Sequence, residues 1–190
     1  MRPVRFCKQR FADFVRDRRG IAATEFAVIV PIMLVLFFGT VEFSQGVAVN
    51  RKVTILARTL SDLTSQNTSV NDTLIGNIFT AGTAILTPYP VAPVQSTISE
   101  LYIDPNTHTA KVQWSKGYSP LTPGSAPDKP VPTALLVDGT YLIYSEVKYL
   151  YQPTIGYVMA KAGVNLSDVA YTRPRQSICV LYGTATCPTN

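Results

Sequence analysis

Histidine is nearly absent from this chain of 190 residues: His108 is the only one. Cysteine is scarce, with Cys7, Cys179 and Cys187 and no Cys-x-x-Cys spacing. A zinc site has almost no material to draw on. No HExxH motif and no glycine-rich phosphate loop is present. A Ser–His–Asp constellation would have to recruit His108 from "DPNTH" (104–108). That segment reads as a turn, Asp104 as turn chemistry, and nothing places a nucleophile beside the imidazole. The expectation is a protein that is not an enzyme and uses no cofactor and no metal. Internal repeats are also missing.

Excess charge is missing from most of the chain. The formal net charge is +5. Residues 1–20 hold seven basic side chains against Asp13 and Asp17, which is 7 − 2 = +5. Residues 21–190 hold ten basic and ten acidic side chains and sum to zero. The basic balance is therefore a property of one short segment, and no basic patch remains elsewhere to bind nucleic acid.

What the chain does have is a long apolar run. Thirteen residues from Phe26 to Phe38 pass without a charge. Extended to Ile21–Val41 the run has 21 residues, interrupted only by Thr24, Glu25 and Thr40 among polar side chains. At about 1.5 Å per residue this spans roughly 31 Å, enough to cross a bilayer core. Pro31 would break a soluble helix but is tolerated in a membrane helix. The positive-inside rule keeps residues 1–20 in the cytoplasm and sends everything after Glu42 outside. The lipid bilayer is thus the first expected partner. Cys179 and Cys187 then share the exterior, where they could pair and close a short terminal loop worth about 2.6 kcal/mol in the chain-entropy account. Two free thiols are the alternative, less expected in an oxidising compartment.

Beyond Glu42 the helix continues with a different face. Val49, Val53, Leu56, Leu60 and Leu63 are spaced four, three, four and three apart, with Asn50, Arg51, Lys52, Arg58, Ser61 and Asp62 between them. This stripe is expected to pack on the protein's own outer domain. "SQNTSVND" (65–72) ends the helix, and Asn71 or Asp72 caps a second one with Leu74, Ile75, Ile78 and Phe79 on one face. "TPYPVAP" (87–93) stops it. Strands are expected at 96–103, 109–117, 140–153 and 173–183, with 104–108 as a hairpin turn. Residues 118–132, with five prolines, form a long loop, and 134–139 a short helix or turn. The plan is α+β and pilin-like: a long N-terminal helix whose outer half crosses a small antiparallel sheet. It divides into a basic cytoplasmic leader (1–20), a transmembrane and amphipathic helix (21–66) and an exterior domain (67–190).

"RRGIAATEF" (18–26) is similar to the cleavage region of type IV-type prepilins. More narrowly, "GIAATEFAVIVPIMLVLFFGTVEF" (20–43) resembles the TadE-like family of pseudopilins from tight-adherence pilus systems. The resembling positions include Gly20, Ala22, Ala23, Glu25, Phe26, Pro31 and Gly39. A "Tyr–x–Tyr" before a proline in "YLYQP" (149–153) adds a weaker match. The resemblance implies a minor pseudopilin in the bacterial inner membrane, cut between Gly20 and Ile21 by a prepilin peptidase. It also implies other pilins and the Tad secretion machinery as partners, with Glu25 and Phe26 in assembly.

Glu25 has two readings. Cutting at Gly20 creates an ammonium at Ile21, and Glu25 would pair with that group on a neighbouring subunit to set the register of assembly. Alternatively, only about 6 Å from the end of the run, it snorkels to the interface at little cost. Two other histories of the chain differ at the N-terminus. One is an ordinary signal peptide cut near "GVA" (46–48); the other is an uncleaved single-pass protein with an exterior binding domain.

Overall fold

The computed structural model describes residues 19–153, 163–183 and 186–187. The leader as far as residue 18, Cys7 included, lies outside the described residues. The chain forms two compact units, Met1–Ser44 and Gln45–Asn190, joined through one continuous helix, α1 (Arg19–Ser65).

The first unit is the apolar part of α1. Pro31 sits inside it without ending it. Thr24, Thr40 and Ser44 turn their hydroxyls back onto the carbonyls of Ile21, Leu36 and Thr40 at 2.8 Å each. Those bonds satisfy the hydroxyl donors within the helix, as a lipid environment demands. Among the described residues this is the one helix long and apolar enough to cross a membrane, with mean hydropathy 2.4 over its best window, no part of which is buried. A helix that is apolar all round and uncovered by protein fits a single-pass membrane protein.

The second unit is a four-stranded antiparallel sheet covered on one face by helices. In chain order it comprises the outer part of α1, β1 (Ser69–Val70), α2 (Asp72–Thr83), a 3-10 turn (Ala84–Leu86), β2 (Val94–Asp104), β3 (Thr109–Gly117), a 3-10 turn (Thr133–Leu135), β4 (Tyr141–Tyr151), β5 (Val164–Thr172) and β6 (Leu181–Tyr182). The sheet order is β3-β2-β4-β5, and β1 and β6 form a separate parallel pair.

The expected helical stripe is the one buried. Val49, Val53, Leu56 and Leu60 are fully buried, as is Ala57. Each larger side chain contributes about 1.5–3 kcal/mol by leaving water. They meet Ile98, Ile143, Val147, Tyr149 and Tyr151. On β4 these are odd-numbered positions, as period-two alternation requires. Small residues bring the layers close: Ser145 Oγ donates to the Ala57 carbonyl at 2.5 Å, and Ser61 Oγ donates to Thr172 Oγ1 at 2.5 Å. Gly82 does the same for α2, where an added Cβ would lie 2.7 Å from Leu60 Cδ2 and 2.9 Å from Leu56 Cδ1.

The opposite face carries a second core of Leu101, Ile103, Ala110, Val112, Leu142 and Tyr144. The proline-rich loop after β3 covers it with Leu121, Val131, Leu135 and Leu136. Both sheet faces are therefore buried, and β2 reads as a nearly continuous buried run rather than an alternating one.

Asn71 is the N-cap of α2, its side chain accepting from Leu74 N–H at 2.8 Å. The 104–108 turn closes with His108 N–H on the Asp104 carbonyl, and His108 takes φ 52°. The segment 134–139 is a 3-10 turn followed by Gly139 at φ 70°.

The strand expected at 173–183 is a correction. The fourth sheet strand is β5, Val164–Thr172, and only Leu181–Tyr182 of the later segment are extended. Arg175 N–H is drawn to the Ser65 carbonyl, its guanidinium pairs with Asp62, and Ser177 Oγ turns back to the Cys179 carbonyl. These bonds fold the segment into bends. β5 is an edge strand, half exposed, so "VNLSDVAYT" lacks the apolar density that marks an interior strand.

Candidate functional site

Two places carry chemistry. The first lies in the membrane-spanning unit, near the start of α1. A Cβ built on Gly20 meets nothing within 4 Å. Among the described residues nothing in the packing demands glycine there, and Gly20 has an ordinary helical backbone. Ile21 is 54% exposed and Phe26 67% exposed. Glu25 is exposed, one helical turn beyond Ile21, and makes no hydrogen bond or ion pair with another described residue. These four residues share the apolar helix, and no other described part of the chain covers them. Their geometry suits contact with another molecule rather than internal chemistry.

The second was not legible in advance. Glu100, in the middle of β2, is fully buried. Its Oε1 accepts from Val180 N–H at 2.5 Å and its Oε2 from Trp114 Nε1 at 3.1 Å. The same indole N–H also reaches the Val180 carbonyl at 2.8 Å. Burial raises the Glu100 carboxyl to about 7, against the pull of the two hydrogen bonds, which favour the ionised form. A β-bulge places it there. Glu100 is opposite Trp114 while Leu101 is opposite Val112, so Gln113 is the extra residue on β3. The available signal was one carboxylate in "STISELYI" and the chain's only tryptophan in the partner strand.

Glu100 anchors the C-terminal segment. Cys179 and Cys187 are joined by a disulfide with Cα atoms 5.8 Å apart, and Cys179 is fully buried. Next to it, Leu181 N–H donates to the Thr68 carbonyl and β6 pairs with β1. The Tyr182 ring stacks against Trp114 with Lys116 Nζ 4.5 Å from its centroid, and its hydroxyl donates to Asp72 at 2.8 Å. The segment is thus tied to the end of α1, the start of α2 and the sheet.

This arrangement predicts a pH dependence. An unfolded chain releases the Glu100 proton near 4.5, whereas the folded one holds it to about 7. Below 4.5 both states are protonated and Glu100 adds no slope. Between 4.5 and 7 the folded state binds the extra proton, so stability falls as pH rises, by about 3 kcal/mol at the limit. Glu100→Gln should flatten that slope, losing about 1 kcal/mol at pH 5 and gaining at pH 8. Denaturant unfolding of both forms at the two pH values measures it. Parallel slopes for parent and variant would show that another group titrates.

The side chains of His108 and Asp104 do not pair with each other in the structure. His108 Nδ1 lies 2.8 Å from Asp138 Oδ1, with both side chains on the surface. Asp104 accepts from Asn106 N–H and from Lys111, which hold its carboxyl down at about 2.

Residues 20–60 match the family model described as TadE-like protein. The match takes in Gly20, Glu25, the apolar run and the buried stripe as far as Leu60. No curated protein and no solved structure matches the chain.

Proposed function

We propose that the chain is a non-catalytic, minor pseudopilin-like component of a Tad-type pilus assembly system. It is inserted in the inner membrane with its N-terminus in the cytoplasm, and a prepilin peptidase cuts it after Gly20. The observation that carries the reading is the pairing of Gly20 with Glu25. A glycine that no described residue packs against stands five residues before Glu25, the lone carboxylate of the uncovered run Ile21–Val41. The TadE-like match over the same residues supports it, as does the charge asymmetry on the N-terminal side. The residues after Glu42 then build an exterior domain that meets the assembly's other pilins.

Mass spectrometry and N-terminal sequencing of protein from its native membrane test this directly. The expected mature chain begins at Ile21, has lost Cys7 and retains the Cys179–Cys187 bond. A chain beginning near Val49 would be the product of an ordinary signal peptidase, and one beginning at Met1 would be an uncleaved anchor. Either result overturns the processing step.

A further inference from the structure

The end of the second unit at which the chain enters has an unusual surface. Gly46, where an added Cβ would be 3.6 Å from Tyr151 Cε1, stands against the end of β4. Lys52 Nζ donates to the Ile85 and Thr87 carbonyls at 2.8 Å each, and Tyr149 Oη donates to the Pro90 carbonyl at 3.1 Å. Tyr149 is paired with Val94, and Tyr151 with Val164. The 85–94 segment, the end of β4 and the start of β5 therefore meet here. Val91, Val164 and Leu150 are exposed by 46, 50 and 39%.

The described chain is sparse in charge at the same end, and Lys161, between β4 and β5, lies outside the described residues. Residues 84–95, 149–153 and 163–167 hold no charged side chain at all. Arg51 and Lys52 form no ion pair among the described residues. Arg51 lies about 7.5 Å of helix beyond Gly46, and side chains on a helix lean toward its N-terminus. Glu42, at the end of the apolar run, is the one carboxylate nearby in sequence.

We infer that this end of the exterior domain docks on the bilayer surface, with Val91, Leu150 and Val164 at the headgroup level and the exposed Arg51 facing anionic lipid headgroups. Connectivity enforces the proximity. Only Ser44 and Gln45 stand between Phe43 and Gly46, and the three chain steps span at most about 10 Å in any conformation. A surface held that close to lipid gains from presenting apolar groups and a cation to it. The domain would then stand at a fixed height on the membrane instead of swinging on its helix.

The test uses the full chain with Cys7→Ser in nanodiscs of phosphatidylcholine, alone or mixed with phosphatidylglycerol. Fluorophores at Val91→Cys and Val164→Cys are compared with one at Asn106→Cys in the β2–β3 turn. The eleven residues of β2 put that turn about 33 Å from Val94. Nitroxide-headgroup lipids should quench the first two and not the third, more strongly in the anionic discs. Arg51→Gln should shift the docked-to-undocked ratio by about fivefold toward undocked. In the chain without added cysteines, amide exchange over residues 87–93 should slow in anionic discs. Equal quenching at all three positions overturns the proposal, as does indifference to phosphatidylglycerol. Shielding of position 91 from aqueous iodide without lipid quenching also overturns it, since a protein contact would then cover this surface.

Discussion

Gly20→Val is expected to leave almost all of the protein at full length in the membrane, with the shortened form lost. The reason lies in what the substitution does not disturb. The new Cβ meets no described residue, and valine in a helix costs only a few tenths of a kcal/mol relative to better formers. Insertion depends on the apolar run and on the basic leader, and both are unchanged. The one thing altered is the shape presented to a peptidase at the scissile bond, where a β-branched side chain replaces a hydrogen. Gly20→Ala, adding a single methyl, should be cut slowly rather than not at all. Immunoblots of membrane fractions, with intact masses, distinguish the forms. An undiminished yield of the shortened chain from Gly20→Val would place the cut elsewhere.

Much of the second unit's fold was legible because its strongest signals agree across levels. The stripe from Val49 to Leu60 has helical spacing and is the buried face. "TYLIYSEVKYLYQP" has β-branched and aromatic density and becomes the central strand β4. β5 escaped notice because an edge strand needs little apolar surface, whereas "SICVLYG" has plenty yet is folded into bends by the Arg175 and Ser177 hydrogen bonds and by its disulfide. Glu100 escaped for a different reason. Sequence gives its charge but not the bulge that turns it under the helices, nor the Val180 amide that meets it from eighty residues away. The N-terminal positions were legible as a pattern, and folding adds that they stay uncovered. The roles proposed for Gly20 and Glu25 both call on a second molecule, which a single chain's sequence does not contain.

Glu25→Leu is expected to insert normally and still be cut after Gly20, yet to abolish pilus assembly. Before cleavage the carboxylate can reach toward the headgroup level, where Arg18 and Arg19 precede it in the chain. After cleavage those arginines are gone, and the nearest natural cation is the new ammonium at Ile21. Within one chain that group is one turn away, so a pairing in cis is available. In a staggered assembly a neighbour's ammonium can lie at the same depth. An unpaired charge costs about 2.5–3.5 kcal/mol at the bilayer centre and less near the interface. A pair that relieves even part of this favours one stagger over the others. Leucine removes both the cost and the pair, so insertion should be unharmed while the register is lost. Glu25→Asp, shorter by one methylene, keeps the charge but not the reach and should assemble partially. Electron microscopy of surface pili, beside the mature protein's N-terminal sequence, reads both steps. Pili from Glu25→Leu at parental numbers would leave only a snorkelling carboxylate with no role in register. Accumulation of uncut protein would move Glu25 into the peptidase's recognition site.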